Sequence, residues 1–257
     1  MNTQATNVLS SKPLIALLLN GSFNPIYNQN LDKLEKIKED LEKKYEIMKG
    51  FISPNSERHV KTEYLEKSIP LKHRVEMIKL AISKSPWIQI YEEESSSLNE
   101  VYLTHQVVDN LSRSLNKKTE RPIKVMYICS SDYILNEEVQ NLEINHLQEH
   151  GLIIIEEYIE DNKRNPNWKK ECEKKLAELY KENSWETFKE EIIYINYDEP
   201  TITSEKICNM IINGNNNWKK LCSTDVVTYI ETNKILKFSR INVDYVRLAF
   251  QVNKNNP

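Results

Sequence analysis

Leu14-Ile15-Ala16-Leu17-Leu18-Leu19 is an unbroken apolar run that stops at Asn20-Gly21-Ser22. Such a run marks a strand covered on both faces, as in a parallel sheet. From about Asn30 the period changes. Leu31, Leu34, Ile37 and Leu41 recur at helical intervals with Lys and Glu between them, which predicts an amphipathic helix. The alternation then repeats. Tyr45 to Ile52 predicts a second strand closed by Ser53-Pro54, followed by a polar loop from Asn55 to Pro70. Val75, Ile78, Ala81 and Ile82 mark a helix, Trp87 to Tyr91 a short strand, and Val101 to Leu115 another helix. Ile123 to Cys129 and Leu152 to Ile155 are again continuous apolar strands. Residues 162–190 are charged and helix-prone, Ile192 to Ile195 reads as a last strand, and Ser204 to Ile212 and Thr224 to Thr232 read as helices. The fold class is therefore α/β, a doubly wound parallel sheet with C-terminal helices. No internal repeat is evident, and the Asn-rich stretch 213–217 reads as a surface turn.

A length of 257 residues suits one such domain. Residues 1–12 read as a mobile tail, 13–239 as the domain, and 240–257 as a C-terminal extension whose pattern fits a strand or a helix. The 35 Lys and Arg against 38 Asp and Glu leave a charge of -3, so the basic excess expected of a nucleic-acid partner is lacking. No segment approaches a membrane span, and the polar first eleven residues do not read as a signal peptide. Cys129, Cys172, Cys208 and Cys222 are scattered. They read as reduced thiols of a cytoplasmic or nuclear protein, and no metal site is expected from them. His146 and His150 read as a solvated helix face.

In such sheets ligands bind beyond the carboxyl ends of the strands. Gly21 lets a ligand approach the backbone, Ser22 adds a hydroxyl, and the following helix would aim free N–H groups at a phosphate. Alone, this is an ordinary turn. The longer string Gly21-Ser22-Phe23-Asn24-Pro25-Ile26, however, resembles the opening motif of the nicotinamide mononucleotide adenylyltransferases, in their eukaryotic branch. The likeness continues in order through Lys49 to Pro54, Ile69-Pro70-Leu71-Lys72-His73-Arg74-Val75, Ser85 to Ile90, Cys129-Ser130-Ser131-Asp132, Gly151-Leu152-Ile153 and Ile202-Thr203-Ser204-Glu205-Lys206-Ile207-Cys208. With the helix at Val226 to Ile230 it spans about residues 14–236.

The resemblance implies a Rossmann-like nucleotidyltransferase (adenylyltransferase) fold and the reaction of ATP with nicotinamide mononucleotide to give NAD and pyrophosphate. It also implies Mg²⁺ as cofactor, ATP, the mononucleotide or an NAD-like nucleotide as partner, and assembly into homo-oligomers, for which the sequence shows no interface pattern. Carried over by position, the nucleotide site comprises Gly21, Ser22, Phe23, Trp87, Asp132, Thr203 and Ser204. Four of them have an ordinary alternative: strand packing for Trp87, and helix capping for Asp132, Thr203 or Ser204. His73 and Arg74 read as structural, through a carbonyl partner and a surface ion pair.

The chain departs from the family where phosphate is handled. Asn30 stands at the catalytic His and Cys208 at the phosphate-binding Arg, so two catalytic positions lack a cation. Glu205 brings a carboxylate where triphosphate is expected, and Ser130 replaces a Gly before the central Asp. Glu143 stands at an aromatic of the nicotinamide pocket, and a family Arg falls near Glu156 or Glu157. Lys61 and Lys67 are candidates for a phosphate-contacting lysine in a loop longer than the family's. Three readings follow: an adenylyltransferase with weak or altered activity, an inactive nucleotide- or protein-binding pseudoenzyme, or a new activity in which Glu205 and Asp132 hold Mg²⁺ or act as a base.

Overall fold

The structure, a computed structural model, describes residues 12–92, 104–136, 147, 149–158, 164–179 and 182–236. The first eleven residues and the 240–257 extension lie outside that set, as does Glu143. Six strands form one sheet: β1 Leu14–Gly21, β2 Glu46–Pro54, β3 Ile88–Ile90, β4 Ile123–Ser130, β5 Gly151–Ile155 and β6 Ile192–Ile195. Their order is β3-β2-β1-β4-β5-β6 and every pair is parallel. The helices are α1 Asn28–Leu41, α2 Glu57–Tyr64, α3 Leu71–Ile82, α4 Thr104–Asn116, α5 Ser131–Leu135, α6 Trp168–Leu179, α7 Glu182–Phe188, α8 Ser204–Ile212 and α9 Thr224–Thr232.

The apolar run of β1 divides between two cores. Ile15 and Leu17 join Leu34 and Ile37 of α1, Met77 and Ile78 of α3, and the inner faces of α8 and α9. Ala16 and Leu18 join Val107, Val108 and Leu111 of α4 with Cys172 and Leu176 of α6. Successive strand residues point to opposite faces, so a run with helices on both sides has no polar positions. The chain leaves β1 toward β2 on one side and returns to β4 on the other. That reversal opens a crevice at the carboxyl ends of β1 and β4, where doubly wound sheets receive ligands.

Two sequence expectations need correction. The stretch 55–70 is not a loop: it holds α2 and a 3-10 turn over Leu65–Lys67. Ser56 caps α2 by accepting from the His59 amide, Glu57 and Lys61 pair at i,i+4, and Val60 is the buried anchor. A helix with one apolar contact per two turns leaves little periodicity to read. His150 is not on a solvated face. It is buried, with Nε2 2.8 Å from Asp109 Oδ1.

Trp87 packs at the amino end of β3. A Cβ added to Gly50 would lie 2.6 Å from its ring, while its indole N–H donates to Glu35 at 2.7 Å and Lys38 lies 5.0 Å from the ring centroid. Gly50→Ala is therefore expected to cost about 1–3 kcal/mol by overpacking, read as a lower urea midpoint with altered tryptophan emission.

Candidate functional site

The turn after β1 is built on buried polar groups. Asn24 is fully buried. Its amide oxygen accepts from the Ile69 N–H at 2.7 Å and its amide nitrogen donates to the Lys67 carbonyl at 3.1 Å. Phe23 has a φ of 43° and folds its ring over Gly21. Arg74, also fully buried, reaches up from α3 and gathers three carbonyls: Ile69 at 3.1 Å, Ser22 at 2.9 Å and Asn55 at 2.8 Å. One guanidinium thus fixes the exits of β1 and β2 and the entry to α3. The expectation of a surface ion pair for Arg74 is corrected accordingly. His73 bonds through Nδ1 to the Tyr229 hydroxyl at 3.0 Å, not to a carbonyl, and burial followed by the Lys72 charge lowers its pKa.

Residues from the far end of the sequence close over this turn. Gln29, buried on α1, donates to the Pro200 carbonyl at 2.8 Å and accepts from the Ile202 N–H at 3.0 Å. The Asn28 amide donates to the Leu221 carbonyl at 2.8 Å, and the Cys222 thiol lies 3.7 Å from the Ile26 carbonyl. The Ser204 hydroxyl donates to the Pro25 carbonyl at 3.3 Å. The tip of α1 therefore does not present all its N–H groups to a ligand, as its place after the Gly-Ser turn suggests. The amides of Tyr27 and Asn28 are both bonded to protein.

The two positions expected to be catalytic, Asn30 and Cys208, lie on either side of that seam, and neither extends a cation. Asn30 is half-buried, and its Oδ1 accepts from the Tyr27 amide at 3.0 Å, capping its own helix. Cys208 is fully buried and donates its thiol to the Asn24 carbonyl at 3.0 Å. Burial pushes its pKa up to about 12, so it stays a neutral thiol.

Of the nucleotide-site residues, Gly21, Ser22, Phe23, Thr203 and Ser204 come together. Thr203 is the N-cap of α8, its hydroxyl accepting from the Lys206 amide at 3.1 Å, and Ser204 is the first helical residue. Trp87 does not join them, whereas Asp132 lies just past the carboxyl end of β4, at the crevice. Trp87 lies on the flank of α1, beside Gly50 in mid-strand. Asp132 is exposed at the end of β4, bonded to the Asn136 amide at 3.3 Å. It does not cap its helix: Ser130 does, accepting from the Tyr133 amide at 3.1 Å.

Residues outside the nucleotide-site set complete the wall between Ser22 and α8. Lys67 reaches Glu205 at 3.0 Å, whereas Lys61 pairs with Glu57 at 2.7 Å on α2 itself. Glu63 accepts the Ser22 hydroxyl, and the half-buried Tyr64 lies beside Glu63 and Ser204. Burial, then the Glu63 charge, raises the Tyr64 pKa. Only the helical reading of 57–64 could have found Glu63 and Tyr64. Farther along the sheet edge, Lys33 pairs with Glu157, while buried Glu156 takes both forks of Arg164 at 2.7 and 2.6 Å. The carboxylates after β5 thus bring their own cations. Among the described residues no group of three or more His, Cys, Asp and Glu side chains could hold a metal ion. An opening of about 400 Å³ runs along α8, lined by Thr203, Glu205, Lys206, Asn209, Met210 and neighbouring asparagines.

A parallel sheet of this order, with a Gly-Ser turn and a capped helix start facing its switch point, defines a Rossmann-like nucleotidyltransferase fold. Comparison narrows the class: residues 18–255 match the model of the cytidylyltransferase-like family, and the chain belongs to that family. Its relationship there is to the mononucleotide adenylyltransferases. It is 38% identical over 88 residues to nicotinamide/nicotinic acid mononucleotide adenylyltransferase 1 of Bos taurus, a match covering 34% of this chain and 30% of that one. It is 32% identical over 83 residues to adenylyltransferase 2 of Danio rerio, covering 32% and 26%. The matched stretches thus span less than a third of those relatives' lengths. The fold is shared with Plasmodium falciparum nicotinic acid mononucleotide adenylyltransferase, solved in complex with NaAD, at a TM-score of 0.56 and 17% identity over 88% of this chain and 98% of that one. The same enzyme complexed with APC gives 0.55 at 17% identity and the same coverage. Among the described residues no helix is long and apolar enough to cross a membrane.

Proposed function

We propose that the chain is a diverged mononucleotide adenylyltransferase that binds adenine nucleotides between the Gly21-Ser22 turn and the amino end of α8, and transfers adenylyl groups slowly. One observation carries the slowness. The side chains at the positions of the catalytic His and the phosphate-binding Arg, Asn30 and Cys208, are uncharged and bonded into the protein's own helix cap and turn. The family reaction joins the phosphate of nicotinamide mononucleotide to the α-phosphorus of ATP and expels pyrophosphate, so charge grows on phosphate oxygens. Without donors aimed at those oxygens, positioning is what remains to catalysis. Ser22, Thr203, Ser204 and Lys67 supply it through hydroxyls and one ammonium. A Mg²⁺ ion would take most of its oxygen ligands from the nucleotide and water.

The test mixes purified protein with ATP, nicotinamide mononucleotide and Mg²⁺ and follows NAD and pyrophosphate. Each lost charged donor is worth about 2.7–4 kcal/mol, so turnover is expected at least about 10³-fold below that of a His- and Arg-bearing family member assayed in parallel. Turnover within tenfold of that enzyme would overturn the proposal. Nucleotide binding with no detectable NAD would establish the pseudoenzyme instead.

A further inference from the structure

Two of the groups that would greet a phosphate at this corner, Ser22 and Lys67, already face a carboxylate. Ser22 gives its hydroxyl to Glu63, and Lys67 gives its ammonium to Glu205 at 3.0 Å. Tyr64, next to Glu63 on α2, lies near Ser204, the neighbour of Glu205 on α8. The glutamates form one wall, with side chains 48% and 62% exposed. They reach water at the mouth of the site and are not locked in the core. An incoming phosphate therefore competes with Glu63 for Ser22, competes with Glu205 for Lys67, and is repelled by both. That repulsion grows with the number of phosphate charges, and an exposed ion pair alone is too weak to offset it.

We propose that Glu63 and Glu205 set the charge selectivity of this corner, admitting a nucleotide with one phosphate or a dinucleotide's diester linkage and disfavouring a free triphosphate. This rests on the nucleotide reading of the corner given above. The acceptor of such a site is a monophosphate or NAD-like ligand, and ATP enters with its charge masked.

The experiment is titration calorimetry of the whole chain with adenosine, AMP, NAD and ATP in EDTA, which keeps divalent cations from masking the charge. The wild type is expected to bind ATP at least about tenfold more weakly than AMP. Glu63→Gln with Glu205→Gln is expected to tighten ATP by about tenfold or more and leave adenosine within about twofold. Glu178→Gln, an equally exposed carboxylate on α6, serves as the control for net charge and is expected to change neither. Circular dichroism and a urea melt verify that each variant is folded. The proposal is overturned if the wild type prefers ATP to AMP. It is also overturned if the double variant gains no ATP affinity while AMP still binds, or if the control gains as much. If neither wild type nor double variant binds any of the four ligands, the nucleotide reading itself fails and takes this inference with it.

Discussion

Arg74→Met is expected to destabilise the protein by about 3–5 kcal/mol. The methionine fills most of the volume but leaves the carbonyls of Ser22, Asn55 and Ile69 without the donors that now satisfy them. Those carbonyls terminate β1 and β2 and precede α3, so the loss falls on three chain segments together. Urea unfolding measures it as a drop in midpoint. Arg74→Lys keeps the charge, but a single ammonium cannot span three divergent carbonyls, so less than half the loss should be recovered. Adenine nucleotide binding should weaken in both variants, because Ser22 is held in place through its own carbonyl. A midpoint within about 1 kcal/mol of the wild type would mean that the carbonyls find water or other donors and that Arg74 is not the clamp described.

Asn30→His combined with Cys208→Arg is expected to raise NAD formation by about 10²–10³-fold. The two positions differ in how easily they accept the change. A histidine at position 30 can keep the cap by accepting the Tyr27 amide on Nδ1, as Asn30 Oδ1 does at 3.0 Å, leaving Nε2–H for a phosphate oxygen. Position 208 has no such freedom. The thiol is fully buried against the Asn24 carbonyl, so an arginine must extend past Asn24 toward Lys67 and Glu205. A stability cost of about 1–3 kcal/mol is expected there. The pair is followed by NAD and pyrophosphate assays beside a urea melt. A folded, nucleotide-binding double variant with an unchanged rate would show that lost cations are not the reason for slow transfer.

The sheet was legible because its strands are buried on both faces. Leu14 to Leu19, Ile123 to Cys129 and Leu152 to Ile155 carry no polar interruption, and each became a strand within a residue or two of its apolar limits. The two last helices were legible for a different reason: Thr203 and Ser223 cap them just before the apolar period begins. α2 was missed because one buried valine in eight residues leaves no period. The geometry of the candidate site was legible only where it is local. Gly21, Ser22, Thr203 and Ser204 could be placed from motif alone, since backbone turns and caps are local. Trp87 could not, because the strand end on which an aromatic falls depends on register: Gly50 pairs with Ile88, which leaves Trp87 beside the middle of β2 and against α1. Nor could the pairing of Lys67 with Glu205, 138 residues apart, be read from spacing.

The seam between residues 24–29 and 200–222 has a consequence for how the protein is made. All six described strands have been translated by Ile195, but Gln29, Asn28, Pro25 and Asn24 still await Pro200, Ile202, Ser204, Cys208 and Leu221. A nascent chain ending near residue 199 would carry the sheet with its first loop unfastened and one core face bare of α8 and α9. Residues 22–29 are thus among the last to be secured, and a protease should find them open until α8 and α9 dock.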